Sequence, residues 1–236
     1  MLLLAIDAST PTGSAALWRD DGLAALITAS VDMTHSEGLM PAVDLLLRHA
    51  RCGVEDLTAV ACISGPGSYT GLRIGIATAQ ALAFARNLPC AAVSSLETLS
   101  WALPYASHPL CPLLPARKGW SYAQFFQWNG TKPEAISEEL NIQPDELVSH
   151  IHQPAIFYGP GLPACREQLR HMLGEDYLEP PQAFHQPRAD LLAEIAVHRL
   201  MEGKGVAPQE LQPHYLGPSQ AEINWKKRYP HGRPPL

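Results

Sequence analysis

The residues best suited to chemistry in this 236-residue sequence fall in two short stretches. The first is Ile6-Asp7-Ala8-Ser9-Thr10, where a carboxylate followed by small hydroxyl residues has the makings of a seat for a metal-bound phosphate. An aspartate at a strand end also serves as a plain turn or cap residue, accepting from nearby backbone N–H groups. The second is Gly65-Pro66-Gly67, which breaks an apolar run just before a helical pattern. Exposed N–H groups at a helix start hold anions. This turn lacks the Lys-Ser/Thr pair of a P-loop, and Thr70 stands where a dinucleotide fingerprint has its third glycine. Asp7, Gly65 and Gly67 are therefore the candidates for a nucleotide phosphate. The ten histidines offer His150-x-His152 and little else at ligand spacing. Neither H-E-x-x-H nor G-x-S-x-G occurs, so zinc-hydrolase and serine-nucleophile chemistry have no support. His35, in Thr34-His35-Ser36-Glu37, sits at an expected helix start, where it donates to a carboxylate, caps or faces solvent. No catalytic residue and no metal-ligand set is assigned.

The elements that position these residues follow from hydrophobic period and turn formers. Residues 60–63 read as a buried strand and 71–86 as a helix, with Ser68 or Thr70 as N-cap, Asn87 in a left-handed cap and Pro89 as a stop. Gly71, Gly75, Ala79 and Ala83 recur every four residues along that helix, leaving one face almost without side-chain bulk. Such a face packs closely inside its own domain or against another chain. Upstream, strands are expected over 2–6, 14–18 and 22–31, then a helix over 36–51 with Leu39, Val43, Leu46, Leu47 and Ala50 at helical spacing. A strand over 90–93 and a helix over 95–103 complete a β-β-β-α-β-α-β-α order, which fits a mixed sheet with packed helices. The second half repeats the theme: strands over 110–115, 121–128 and 155–158, then helices over 163–173 and 188–202. Ile156-Phe157-Tyr158-Gly159-Pro160-Gly161 resembles the stretch from Ile63 to Gly67, which suggests a duplication. The expected division is a first lobe over 1–106, a smaller second lobe over 107–217 whose last helix packs back on the first, and a basic, proline-rich, mobile tail over 218–236.

Composition narrows the class. Apolar residues make up 46% and charged residues 17%, as in globular chains, and the net charge of -6 argues against a general nucleic-acid binder. Any RNA contact should be local or borrowed from a partner. Five cysteines, far apart and without a C-x-x-C pair, fit a reducing cytosol. The apolar start is broken at Asp7 and lacks a basic flank, so it does not read as a signal peptide, and no run approaches a membrane span.

The eleven residues Gly65-Pro66-Gly67-Ser68-Tyr69-Thr70-Gly71-Leu72-Arg73-Ile74-Gly75 fit the pattern G-P-G-S-[FY]-T-G-[LV]-R-[IV]-G. With Ala5-Ile6-Asp7-Ala8-Ser9-Thr10, Thr34-His35-Ser36-Glu37 and Val93-Ser94-Ser95-Leu96-Glu97, they make the chain resemble the TsaB (YeaZ) family, the bacterial dimerisation subunit for threonylcarbamoyladenosine synthesis on tRNA. The resemblance covers roughly the first 100 residues and returns at Pro213-His214-Tyr215-Leu216 and Glu222. It implies an α/β actin/Hsp70-like ATPase (ribonuclease H-like) fold of two lobes, each a mixed sheet with packed helices. It also implies a cytosolic, noncatalytic partner of the transferase TsaD and the ATPase TsaE, touching tRNA through that complex and able to pair with its own copy. No cofactor is implied. In TsaD the helix after the corresponding strand carries H-M-E-G-H, whose histidines hold a metal; here the residues are Ser95-Leu96-Glu97-Thr98-Leu99, without imidazoles. The family's pairing surface, carried over, falls on His35, Leu39, Val43, Gly71, Arg73, Gly75, Ala79 and the helix over 36–51. One departure is Pro115-Ala116-Arg117-Lys118-Gly119-Trp120-Ser121-Tyr122, where the family has D-A-R-[RK]-G-E-[VI]-Y and two more carboxylates. The rival readings are an autonomous nucleotide-binding phosphotransferase, using Asp7 and the turn after Ile63, and a metallopeptidase-like hydrolase.

Overall fold

The computed structural model describes residues 1–20, 22–30, 35–218, 222, 224–225 and 228–229, with Ser30, His35, Ser36 and Glu37 described by backbone alone. β1 (Leu2–Asp7) is buried at every position, which a strand achieves when helices cover both faces of its sheet. β2 (Thr12–Arg19) pairs antiparallel with β1, and β3 (Gly22–Ser30) antiparallel with β2. α1 (His35–His49) follows, then β4 (Ala59–Gly65), α2 (Tyr69–Phe84), β5 (Cys90–Ser94) and α3 (Ser95–Ser100). The strands form one mixed sheet in the order β3-β2-β1-β4-β5, with β4 and β5 parallel to β1. The caps of α2 match the sequence: Ser68 Oγ accepts from the Gly71 N–H at 3.2 Å, and Asn87 has a φ of 52°.

The second sheet is built from β6 (Leu110–Pro115), β7 (Ser121–Ala123), β8 (Phe126–Trp128), β9 (Pro133–Ala135), β10 (Leu140–Ile142), β11 (Ala155–Tyr158) and β12 (Tyr177–Leu178). Its order β10-β7-β6-β11-β12 copies the first sheet strand for strand: a central strand, an antiparallel neighbour on one side, two parallel ones on the other. α4 (Pro144–Val148), α5 (Arg166–Leu173) and α6 (Ala189–Met201) take the places of α1, α2 and α3. The glycine turns after β4 and β11 correspond as well. The β8–β9 hairpin is an addition, and it corrects the single strand expected over 121–128. Phe125 leaves the ladder there, its N–H donating to Ser137 Oγ at 2.9 Å and its carbonyl accepting from Ile136 at 2.8 Å. The helix expected over 95–103 stops at Ser100, whose Oγ donates back to the Glu97 carbonyl at 2.7 Å. That expected from 163 starts at Arg166 after a short 3-10 turn over Leu162–Ala164.

The cores show how the halves are joined. α1 and α2 cover one face of the first sheet, where Leu39, Val43, Leu46, Leu47, Ile76, Ala79 and Ala83 meet Leu2, Leu4 and Ile6. The other face is covered by α6, through Leu192, Ala193, Ile195 and Ala196 against Leu3, Ala5 and Val93. Ser14 Oγ accepts from the Ala189 N–H at 3.0 Å and so caps that helix from the first sheet. Reciprocally, Leu96 and Leu99 of α3 join Leu110, Leu114, Phe126 and Tyr158 of the second sheet. The last helix of each half thus packs against the other half. Among the described residues no helix is long and apolar enough to cross a membrane. The tail over 218–236 falls mostly outside the described residues.

Candidate functional site

Asp7 ends the central strand and is wholly buried. Its Oδ1 accepts from the backbone N–H of Ser9 at 2.8 Å and from Ser9 Oγ at 2.7 Å, the self-capping geometry of a turn. The Ser9 carbonyl in turn accepts from the Ser68 N–H at 2.8 Å, so the first residue before α2 gives its donor to the chain itself. The glycines allow this contact. A Cβ on Gly67 would lie 2.6 Å from the Ser9 carbonyl oxygen, and one on Gly71 would lie 1.9 Å from that of Ala8. On Gly65, with a φ of 130°, a Cβ would lie 2.2 Å from the His214 carbonyl oxygen. The phosphate expectation at Asp7, Gly65 and Gly67 gains no support from this geometry: Asp7 Oδ1 and the Ser68 N–H are engaged within the chain, and its own backbone presses on the turn from both sides. Nearby, a cavity of about 510 Å³ lies between the two sheets, with Glu97, Glu138, Glu139 and His214 in its walls. Three carboxylates against one histidine disfavour an anionic ligand.

The positions that correspond to the H-M-E-G-H histidines, Ser95 and Leu99, lie at the two ends of α3, both fully buried. Ser95 Oγ donates to the Pro66 carbonyl, tying α3 to the glycine turn. Leu99 is enclosed by the second-sheet core, and the Tyr158 hydroxyl donates to its carbonyl at 3.1 Å. Between them Glu97 pairs with Arg199 of α6. A hydroxyl spent on a carbonyl and an isobutyl group in hydrocarbon leave no ligand pair on this helix. The thiols are equally withdrawn: burial, with Cys90 and Asp7 close by, pushes Cys62 up to about 12, and burial pushes Cys90 to about 11. Neither is a nucleophile at neutral pH.

The interface expectation is corrected at five positions. Leu39, Val43, Gly71, Gly75 and Ala79 are buried within their own lobe, and the Gly71–Gly75 edge faces Ala8 at the end of β1. Spacing of small residues signals close approach without naming what approaches. Arg73 does reach the surface, while the side chain of His35 lies outside the described residues. The outward sides of α1 and α2 instead present Met40, Leu45, Tyr69, Arg73 and Phe84, the last 71% exposed. Arg73 is held there by residues that the periodicity did not single out. Its Nη2 donates to the Tyr69 hydroxyl at 2.6 Å and its Nε to the Tyr215 hydroxyl at 2.9 Å, while the two phenol rings stack at 4.3 Å. Tyr215 arrives on a strap that crosses the glycine turn: the His214 N–H donates to the Ser64 carbonyl at 2.7 Å, and Gln80 Nε2 to that of Leu211 at 3.1 Å. Glu139 of the second lobe fastens the same strap, meeting His214 Nε2 at 2.6 Å and Ser94 Oγ at 3.0 Å. Only the Pro213-His214-Tyr215-Leu216 motif hinted at this arrangement in the sequence.

Two mixed sheets of matching order, exchanged end helices and a cleft between them define a protein of the actin/Hsp70-like ATPase fold. An activator of 2-hydroxyisocaproyl-CoA dehydratase from Clostridium difficile shares that fold at a TM-score of 0.50 and 11% identity, over 86% of this chain and 97% of its own. A family model described as "TsaD: tRNA N6-adenosine threonylcarbamoyltransferase" matches residues 29–225. The tRNA threonylcarbamoyladenosine biosynthesis protein TsaB of Bacillus subtilis is 32% identical, over 95% of this chain and 98% of its own. Its namesake in Escherichia coli is 31% identical, over 96% and 98%. The solved structure of YeaZ from Pseudomonas aeruginosa superposes at a TM-score of 0.78 with 26% identity, covering 91% of this chain and 99% of that one. The chain belongs to the family that this model describes, and within it to the TsaB (YeaZ) proteins.

Proposed function

We propose that this chain is a noncatalytic, cytosolic subunit of the machinery that installs threonylcarbamoyladenosine on tRNA, docking on the transferase TsaD with TsaE in a larger complex. The observation that carries the reading is the sealed face of α3, where Ser95 and Leu99 occupy the two ligand positions with a hydrogen bond and hydrocarbon packing. The names of the TsaB relatives supply the pathway. The first lobe, residues 1–106, offers the docking face on the outer sides of α1 and α2, and the second lobe, 107–217, fixes it through the strap at Tyr215. When TsaD is absent the same face pairs two copies of the chain, since an unfilled docking surface is open to a two-fold contact. Neither rival enzyme reading draws support from the geometry: the glycine turn is filled by backbone, and α3 carries no imidazole.

Size exclusion of the chain mixed with the TsaD of its own organism tests this. Co-elution is expected, and its loss in Phe84→Asp and Arg73→Glu variants that melt normally; a chain that never co-elutes, with or without TsaE and nucleotide, overturns the reading. Substitution of Gly75 by leucine would not probe docking, because it disturbs the packing on Ala8.

A further inference from the structure

Resting on the tRNA reading above, we propose that this chain itself contacts RNA through the tip of the hairpin between β6 and β7, with Trp120 stacking on an unpaired base and Arg117 and Lys118 facing the adjoining phosphates. A net charge of -6 restricts any such contact to a local patch. Here the patch is a stretch in which no acidic residue occurs from Pro115 to Ala123 and an indole stands two residues after the paired cations Arg117 and Lys118.

The tip is preformed. Pro115 and Ser121 make the last rung of the ladder, the Ala116 N–H donates to the Trp120 carbonyl at 3.3 Å, and the Trp120 N–H donates to the Arg117 carbonyl at 2.8 Å. Gly119 takes a φ of 79° with open space around it. A closed loop binds without a large ordering cost. Arg117 and Lys118 are exposed, and the Arg117 guanidinium lies 4.0 Å from the centre of the Trp120 ring. Among the described residues neither cation has a carboxylate partner, whereas Arg166, Arg188, Arg199 and Lys204 each rest on one. A guanidinium on an indole is a flat cationic surface, the combination that takes a nucleobase together with its phosphate. An acidic peptide would use the charges and leave the ring idle. A free nucleotide would seek a concave pocket, and a hairpin tip is convex.

The test is fluorescence anisotropy of a labelled, unmodified tRNA transcript with adenosine beside its anticodon, titrated with the full chain at several salt concentrations. The Arg117→Glu, Lys118→Glu double variant is expected to bind at least about tenfold more weakly, with the slope of log K against log salt flattened by roughly 1.4–1.8, the share of two phosphates. Trp120→Ala is expected to bind about tenfold more weakly with the slope unchanged. Lys118→Glu alone, at an exposed position, keeps the test open should the double variant misfold. Absence of binding by the unsubstituted chain, binding indifferent to all these changes, or displacement of the transcript by micromolar ATP would each overturn the proposal. Co-elution with TsaD is expected of every variant; its failure in the unsubstituted chain would count against the subunit reading and leave the RNA result to be judged alone.

Discussion

Glu179 shows how a single side chain organises the second lobe. Its carboxylate meets Arg166 Nε at 3.0 Å, Arg170 Nη2 at 3.4 Å, the Tyr177 hydroxyl at 2.6 Å and His185 Nε2 at 3.6 Å. Burial opposes its charge, but the Tyr177 hydrogen bond and the Arg166 guanidinium outweigh that cost and hold the carboxyl below the usual range. A lowered folded value means that the stabilisation is present above the unfolded value, about 4.3, and is lost as pH falls through the folded one. Glu179→Gln is therefore expected to lower the unfolding free energy by about 2 kcal/mol at pH 7. Urea titrations should find the gap between the two proteins closing below pH 4. This cluster was not legible in the sequence, because its members are brought together only by folding. Asp7 was legible as a special residue, but its use was not: whether a carboxylate holds a metal-bound phosphate or its own Ser9 N–H depends on where the backbone of α2 comes to rest.

At the scale of elements, period and punctuation sufficed for the strands of the first sheet and for every α-helix but α4, since 3.6-residue and turn signals are local properties; the two- and three-residue strands β9, β10 and β12 and the one-turn α4 are too short to carry a period. What they left open was the neighbour of each face. The small-residue edge of α2 shows the difference, and its two glycines behave unlike each other. Gly71→Ala forces a methyl to within 1.9 Å of the Ala8 carbonyl oxygen and is expected to cost roughly 1–3 kcal/mol. Gly75→Ala meets the Ala8 methyl at an ordinary 3.6 Å and is expected to be neutral or to gain up to about 1 kcal/mol from helix propensity. Thermal melts of the two single variants should move in opposite directions, or at least differ by several degrees. Equal losses at both positions would contradict the packing described for this edge.

For the molecule as a whole, the repeat of glycine-proline-glycine after two apolar strands was the sequence trace of a duplication, and the matching strand orders carry it through. The return of the last helix onto the first lobe was among the expectations, but its reciprocal was not: no local pattern records that Leu96 and Leu99 of α3 pack with Leu110, Leu114 and Tyr158 of the second sheet. The exchange also bears on separability. A fragment of residues 1–106 lacks α6 and so bares Leu3, Ala5, Ala16 and Val93 on one face of its sheet. It is expected to aggregate or to bind a hydrophobic dye strongly, and to recover a single melting transition when residues 107–218 are supplied in trans. A soluble, cooperatively melting fragment on its own would contradict the reciprocal packing.

The strap at Tyr215 carries a consequence for the order of events in the cell. Arg73 is held by a phenol encoded 142 positions downstream, so a growing chain that has not yet reached Tyr215 has the residues of α1 and α2 but not the finished guanidinium clamp. On the docking reading proposed above, a product cut short before Tyr215 would carry an unset face and is expected to bind its partner more weakly than the full chain.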